Sequence, residues 1–346
     1  MADNNRIFYA IQQVAIGTIP ANTYYVLKGV QSVSMTTTFN LEQAFQLGQL
    51  EIYENIEGVP SIEMTVNRLL DGTALAYVTC CGDDETTCYN NAQSLVTASK
   101  NTFMARLGIW DEEDSPDGVA GDPVTQVTLS GCVLSSVSYT FGTDGNFTEE
   151  ISITATDKAW QGTSCSTAAG FAESLTTAYS EFTNNDVPDF AGGVQRREYL
   201  DTTGSLWPAT TIPEHSGRIQ SVSVSADFGT EDLFELGNKG PFAKVANFPI
   251  EVSCSIEVLS QSGDLVNAMA EGCSAVDQCS VKSNLVDETI RINLCDGTVV
   301  DLGSKNKLAS VSYGGGDAGG GNVTQTYDFT NFNSLAVSGT GAITFS

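Results

Sequence analysis

The residues that could carry out chemistry are few in this chain, and they do not form a catalytic pattern. The one histidine, His215, lies in a turn-like IPEHSG segment, and no Gly-x-Ser-x-Gly nucleophile motif accompanies it. The glycine-rich run from Gly314 to Gly321 is followed by neither a lysine nor a helix, so it does not predict a phosphate-binding loop. These patterns favour a protein that is not an enzyme.

Two acidic loops and nine cysteines are the candidates for metal binding or oxidation. Residues 81–88 and 111–118 cluster carboxylates, but they lack the ligand order of an EF-hand loop. The cysteines form no Cys-x-x-Cys pair and have no histidine near them in sequence, which argues against zinc. Cys80, Cys81 and Cys88 are the favoured place for oxidation, and most other thiols are expected to be buried. We predict no metal and no cofactor.

The charge balance excludes one large class of function. The chain has 42 acidic and 15 basic residues, for a net charge of -27. Such a charge argues against binding DNA or RNA through phosphate neutralisation, and it suits a soluble protein or a surface that must not adhere to a polyanion. The first residues have no basic and apolar signal-peptide pattern, and no apolar run approaches 18 residues. We therefore expect no export signal and no membrane span.

The elements of the chain are organised by an internal repeat. Residues 31–48, QSVSMTTTFNLEQAFQLG, return 189 residues later as QSVSVSADFGTEDLFELG, with nine of the 18 positions identical. Ser136-Val-Ser-Tyr139 likewise returns as Ser310-Val-Ser-Tyr313. Two copies at so long a period predict two whole domains of one fold. We expect an N-terminal arm of two short strands over residues 1–28, a first domain over 29–160, a linker over 161–216 and a second domain over 217–346.

Each copy is predicted to hold strand pairs around one helix. Residues 33–39, 62–66 and 250–258 alternate apolar and polar side chains, which indicates half-buried strands. Asp144-Gly145 predicts a hairpin turn before Thr148. The apolar spacing in residues 89–110 predicts an amphipathic helix, with a shorter counterpart at 263–270 and a bridging helix near 171–182. The predicted fold is mainly β, with two tandem homologous antiparallel β-sandwich or barrel domains, each with a flanking α-helix.

The order of these motifs resembles the major tail tube proteins of long-tailed bacteriophages and the tube proteins of contractile injection machines. The residues that carry the resemblance are Val33–Gly48, Pro60–Val66, Ser136–Ile153, Val222–Gly237, Pro249–Ile256 and Ser310–Tyr327. The resemblance implies a virion structural protein, assembled in the host cytoplasm, whose rings stack into a tube that conducts DNA during ejection. With two tandem tube domains, a ring would be a trimer of pseudo-sixfold symmetry. Its partners would be the tape measure, terminator and baseplate proteins and, in a contractile tail, the sheath, with no specific binding of DNA.

The resemblance also assigns roles to residues of both copies. The small polar strand positions would line the lumen: Ser34, Thr36, Thr38, Glu63, Thr65, Glu150, Ser152, Thr154, Ser223, Ser225, Asp227, Glu251, Ser253 and Glu257. Phe45, Leu47, Phe234 and Leu236 would contact the adjacent ring. A lining of this kind does not bind the phosphates of passing DNA, which agrees with the acidity of the chain.

Other readings stay open at this point. An acidic β-sandwich adhesin, secreted or displayed on a surface, would fit the Ser/Thr-rich strands, but it predicts an export signal and disulfides. A tail terminator or a baseplate hub would fit as well. A hydrolase would require His215 or a carboxylate pair to gather in a cleft.

Overall fold

The structure is a computed structural model of the whole chain. It describes residues 7, 12–18, 24–48, 50–73, 75–80, 93–109, 125–162, 193–209, 211–212, 218–260, 266, 285–314 and 321–339. The predicted helices at 171–182 and, apart from Val266, at 263–270 lie outside these residues. Most of the linker expected at 161–216 does so too.

Strands dominate the described residues. They are β1 Gln12–Thr18, β2 Tyr24–Val26, β3 Val30–Thr38, β4 Leu41–Phe45, β5 Ile52–Glu57, β6 Ser61–Leu69, β7 Gln93–Ser94, β8 Phe103–Ile109, β9 Thr125–Gly142 and β10 Thr148–Ala155. The chain continues with β11 Asp157–Gly162, β12 Ile219–Asp227, β13 Thr230–Leu233, β14 Ala243–Ala246, β15 Glu251–Leu259, β16 Arg291–Asn293, β17 Val299–Asp301, β18 Lys307–Gly314, β19 Thr324–Phe332 and β20 Ala336–Ser338. The helices are α1 Ala76–Cys80, α2 Leu95–Ala98 and a 3-10 turn at Arg197–Tyr199.

Eight strands form one continuous antiparallel sheet in the order β3-β6-β10-β9-β12-β15-β19-β18. The first four come from the first half of the chain and the last four from the second half. Within each group, the order across the sheet is the first, second, fourth and third strand along the chain. The two groups join where β9 pairs with β12, with Ser225 opposite Ser138 and Val224 opposite Tyr139. The mainly antiparallel β fold predicted from the alternation is therefore confirmed.

One face of this sheet is the wall of the hydrophobic core. The apolar positions of the alternating strands, such as Val66, Ile151, Val224 and Ile256, are at most 1% exposed. They belong to one continuous cluster that includes side chains from both halves and from the smaller sheets. Burying one face of an alternating strand leaves the other face polar, which is why the two faces differ so sharply.

A second layer covers the core. The first half of β9 pairs with β8 and β11, and β8 pairs in turn with β1, which pairs with β2. The partners of β9 change next to Gly131, from β8 and β11 before it to β10 after it, and the φ of +60° at Gly131 is costly for any residue with a side chain. In the second half of the chain, the corresponding layer consists of β16, β17 and β20, and β7 of the first half adds the fourth strand of that sheet.

The helix predicted within residues 89–110 is wrong for most of its length. Of the described residues in this stretch, 93–109, Leu95–Ala98 are helical, and Phe103–Ile109 form strand β8, with β1 on one side and β9 on the other. Six of the seven residues of β8 are buried, so both of its faces are covered. A strand of this kind has apolar residues on both faces and loses the period of two, and its spacing then resembles that of a helix.

Two hairpins extend beyond the ends of strands of the large sheet. The first consists of β4 and β5, and the second of β13 and β14. They occupy equivalent places, one after β3 and the other after its repeat β12. We call the hairpin β4–β5 the first arm and the hairpin β13–β14 the second arm; neither is the N-terminal arm of residues 1–28.

Candidate functional site: a polar sheet face and two open edges

The polar face of the eight-stranded sheet contains all fourteen positions that the sequence suggested as a lining. In the register of the sheet, Ser34 lies opposite Thr65, and Thr65 lies opposite Ser152. In the second half, Ser225 lies opposite Ser253. The hydroxyl oxygen of Thr154 is shielded from solvent. The structure thus brings residues spread along the chain from Ser34 to Glu257 onto one surface.

Cross-strand hydrogen bonds hold these short side chains in place. Thr65 Oγ1 lies 3.3 Å from Ser152 Oγ, and Ser225 Oγ lies 2.8 Å from Ser253 Oγ. The hydroxyl of Ser221 donates to Glu257 at 3.1 Å. Hydroxyl donors that bond to neighbouring oxygens are less available to a ligand, so the face presents mainly acceptors.

The charges on this face are mostly negative. Its carboxylates are Glu63, Glu150, Asp227, Glu251, Glu257 and Asp328, and the cation among its described strand residues is Lys307. The second half contributes more of the carboxylates than the first, and Asp227 stands where the first half has Thr38. Such a surface repels a polyanion and offers no array of cations to neutralise phosphates.

Several residues of the face were missed by the sequence reasoning. They include polar positions of β9 in the first group and of β18 and β19 in the second: Ser136, Ser138, Thr140, Ser310, Ser312, Thr326, Asp328 and Thr330. Ser255 Oγ donates to Asp328 at 2.7 Å, and Ser310 Oγ donates to the other oxygen of that carboxylate at 2.5 Å. The repeated Ser-Val-Ser-Tyr motif has the same alternation as the other strands and could have identified them.

The two edges of the sheet, β3 and β18, are open on their outer sides among the described strands. Each is the repeat of a strand that is covered at the internal joint, and the burial of the side chains differs accordingly. Val222 and Val224 of β12 are 1% exposed, whereas their counterparts Val33 and Met35 in β3 are only half-buried. Tyr139 of β9 is 1% exposed, whereas its counterpart Tyr313 in β18 is 56% exposed. Both open edges therefore present apolar surface that the joint buries.

The arms present a second apolar surface. Phe45 and Leu47 of the first arm are 69% and 103% exposed, and Phe234 and Leu236 of the second are 56% and 105% exposed. All four residues predicted to contact another ring are thus uncovered in the single chain. The arms lie side by side, since Lys239 Nζ is 3.7 Å from a carboxylate oxygen of Glu57.

A buried polar cluster supports the first half of the sheet from the core side. Glu149 is fully buried and accepts hydrogen bonds from the backbone N–H of Ala76 at 2.8 Å and of Tyr77 at 3.0 Å, and from Tyr139 Oη at 2.9 Å. The guanidinium of Arg68, also fully buried, lies 3.7 Å from Glu149. Every partner of the carboxylate is a donor from the protein itself, so the cluster anchors helix α1 to the sheet.

The described residues contain no group of three or more histidine, cysteine or acidic side chains placed to hold a metal ion. His215 and the acidic loops at 81–88 and 111–118 lie outside those residues, as do Cys81 and Cys88. Burial raises the pKa of the Cys132 and Cys254 thiols to about 12, so both are protonated at neutral pH. Over the same part of the chain, no helix is long and apolar enough to cross a membrane.

Comparison with known proteins finds similarity only among solved structures. No protein-family model matches the chain, and no curated protein matches it. A chain of the anti-feeding prophage baseplate has a TM-score of 0.34 and 11% identity, covering 46% of this chain and 98% of its own length. A chain of the sheath–tube complex of an extracellular contractile injection system has a TM-score of 0.32 and 12% identity, over 46% and 94%. A chain of the sheath/tube terminator of such a system has a TM-score of 0.33 and 13% identity, over 46% and 100%. Similarities of this size do not assign a family.

Proposed function

We propose that this chain is a structural component of a phage tail or a related injection tail, and specifically its tube protein. Copies join edge to edge into a ring, with the polar sheet face lining the lumen. The observation that carries the proposal is the joint between β9 and β12. This joint already unites two equivalent four-stranded groups. Of the two edges that are left open, β18 is the repeat of β9 and β3 is the repeat of β12.

The internal joint predicts the register of the joint between copies. Transferring the pairs Tyr139–Val224 and Ser138–Ser225 through the repeats gives Tyr313 opposite Met35, and Ser312 opposite Thr36. Edge strands that expose unpaired backbone groups and apolar side chains are templates for such pairing. A second copy supplies both the missing hydrogen bonds and the cover for Tyr313.

The size of the proposed ring follows from the two four-stranded groups in each copy. With eight strands in each copy, a trimer has 24 strands in pseudo-sixfold arrangement. At about 4.8 Å between strands and a tilt of about 40°, its backbone diameter is roughly 48 Å, which leaves an open channel. The hydroxyl-rich, acidic lining then lets DNA pass without binding its phosphates.

The exposed arms complete the proposal by stacking one ring on the next. Phe45, Leu47, Phe234 and Leu236 are the apolar anchors of this contact. Large apolar residues at such exposure are typical of protein interfaces and costly in water. The ends of the tube then contact the other tail proteins, namely the tape measure, terminator and baseplate, within the virion.

The experiment combines electron microscopy of the purified protein with cysteine crosslinking. Rings or tubes with threefold end views are expected as concentration rises. The variant Thr36→Cys/Ser312→Cys should crosslink between copies under mild oxidation, because directly opposed Cα atoms in antiparallel strands lie about 4.5–5.5 Å apart, within disulfide reach.

The matched control is Thr36→Cys/Ser310→Cys, in which the second thiol is displaced by two residues along the same strand face. Diagonal neighbours of this kind lie roughly 7–8 Å apart, too far for a disulfide. Equal crosslinking of the two variants, or a monomer at every concentration, would contradict the proposal.

A further inference from the structure

The outer edge of β11 is open among the described residues. One side of β11 pairs with the first half of β9, from Asp157 opposite Ser130 to Gly162 opposite Thr125. No described strand pairs with its other side. The large side chain of Trp160 on this strand is 51% exposed. A strand edge that no other described strand pairs with, beside a half-exposed indole, is an unusual surface to leave in water.

Strand β20 is the counterpart of β11 in the second half of the chain. β11 follows β10 and pairs with the first half of β9, and β20 follows β19 and pairs with β17. The spacing that relates the two Ser-Val-Ser-Tyr motifs also places the beginning of β9 over β17. The two strands therefore hold the same place in two equivalent layers.

Unlike the edge of β11, the outer edge of β20 is covered. Strand β7, from the first half of the chain, pairs with it, with Ser94 opposite Ala336 and Gln93 opposite Val337. The backbone N–H of Leu95 donates to the carbonyl of Leu335 at 2.8 Å, and the Leu95 side chain is fully buried. The cover thus comes from the other half of the chain, not from the half that contains β20.

The first half of the chain covers two edges of the second half. Strand β12 of the second half pairs with β9, and strand β20 of the second half pairs with β7. Both β9 and β7 belong to the first half. The two open edges of the first half also lie together, since Lys158 of β11 donates a hydrogen bond to Thr37 of β3. A copy that pairs with β3 therefore comes within reach of β11.

We infer that the outer edge of β11 is a second seam between copies, covered by an antiparallel extended segment from the second half of the neighbouring copy. The inference rests on the proposed ring and adds a second contact between neighbouring copies, in the layer behind the large sheet. Main-chain hydrogen bonds supply the pairing, and Trp160 supplies apolar contact at its border. Each contact between copies then spans both the inner sheet and the layer behind it.

Hydrogen exchange of the wild-type protein tests the inference directly. Amides in residues 157–162 are expected to exchange at least roughly tenfold more slowly in rings than in monomers, because the seam protects them. Amides of residues 93–95 are the internal control. Their pairing is within one chain, so their protection should be the same in both states.

A substitution gives an independent test. Trp160→Ala should raise the concentration at half-assembly by about tenfold or more and leave the urea midpoint of the monomer unchanged. Leu206→Ala is the matched control, since Leu206 is 45% exposed and lies on the segment beside β16 rather than at either open edge. It should change neither quantity.

The two proposals fail in distinguishable ways. Rings that show the Thr36–Ser312 crosslink but exchange residues 157–162 as fast as monomers do would overturn the second seam and leave the ring intact. A protein that forms no rings overturns both.

Discussion

Tyr139 and Tyr313 are the same residue of the repeat in two different settings, and they give the sharpest test of the open edge. Tyr139 is 1% exposed at the internal joint, and its hydroxyl donates to the buried carboxylate of Glu149 at 2.9 Å. Tyr313 is 56% exposed on the edge strand β18. Replacing each by alanine should therefore affect different equilibria.

The expected magnitudes follow from burial. Tyr139→Ala removes a fully packed ring and one hydrogen bond of Glu149, and we expect the free energy of unfolding to fall by about 3–5 kcal/mol. Tyr313→Ala should change the stability of the monomer by no more than about 1 kcal/mol. Covering Tyr313 as fully as Tyr139 would bury about 110 Å² of a side chain of roughly 200 Å². That area is worth about 3 kcal/mol at each seam.

Urea unfolding of dilute monomer measures the first quantity, and sedimentation across a concentration series measures the second. About 3 kcal/mol at a seam corresponds to a shift of roughly two decades in the concentration at which copies associate. The reasoning is wrong if Tyr313→Ala assembles at the wild-type concentration. It is also wrong if Tyr313→Ala destabilises the monomer as much as Tyr139→Ala does.

Three further predictions concern the core and the arms. Glu149→Gln should lower the free energy of unfolding by about 1.5–3 kcal/mol, measured in urea, because a neutral amide replaces the carboxylate that accepts three buried hydrogen bonds and leaves Asp71 as the carboxylate beside Arg68. The thiol of Cys254 has its pKa raised from 9.0 to about 12 by burial, so the unfolded chain loses this proton first and stability falls between pH 9 and pH 12. Cys254→Ala should remove about 1.4 kcal/mol per pH unit of that fall, and an unchanged slope in urea midpoints would contradict the assignment. The double variant Phe45→Ser/Phe234→Ser should still form rings, but the rings should not stack. Tubes of normal length in micrographs would show that the arms do not form the contact between rings.

The large sheet was predictable because its sequence pattern is local. Strands such as β3 and β15 have one face in the core and one in water, so apolar and polar residues alternate along them with a period of two. The repeat then doubled the signal, since QSVS and SVSY each mark equivalent strands in both halves. The polar face follows from the same alternation, which is why all fourteen suggested positions lie on it.

The second layer and the joint were not predictable for two physical reasons. Strand β8 is buried on both faces and carries no alternation, so its spacing was mistaken for that of a helix. The pairing of β9 with β12 joins residues about 80 positions apart along the chain, and no local pattern specifies which edges of two sheets meet. The open edge of β11 could be seen only after both layers were known.

The presence of two equivalent four-stranded groups in one chain changes what the proposed ring must do to assemble. Within each chain, the β9–β12 joint forms as an intramolecular contact at high effective concentration. A proposed ring of three copies then has three seams between chains, and the association cost is met for three bodies rather than six. The same linkage lets the two halves diverge without losing their partner. Glu149 with Arg68 in the first half is replaced by Gln325 with Val258 in the second, and four of the six carboxylates of the polar face belong to the second half. In the proposed ring the lining would therefore alternate between less and more acidic sectors, and an end view should average correctly with threefold symmetry and not with sixfold symmetry.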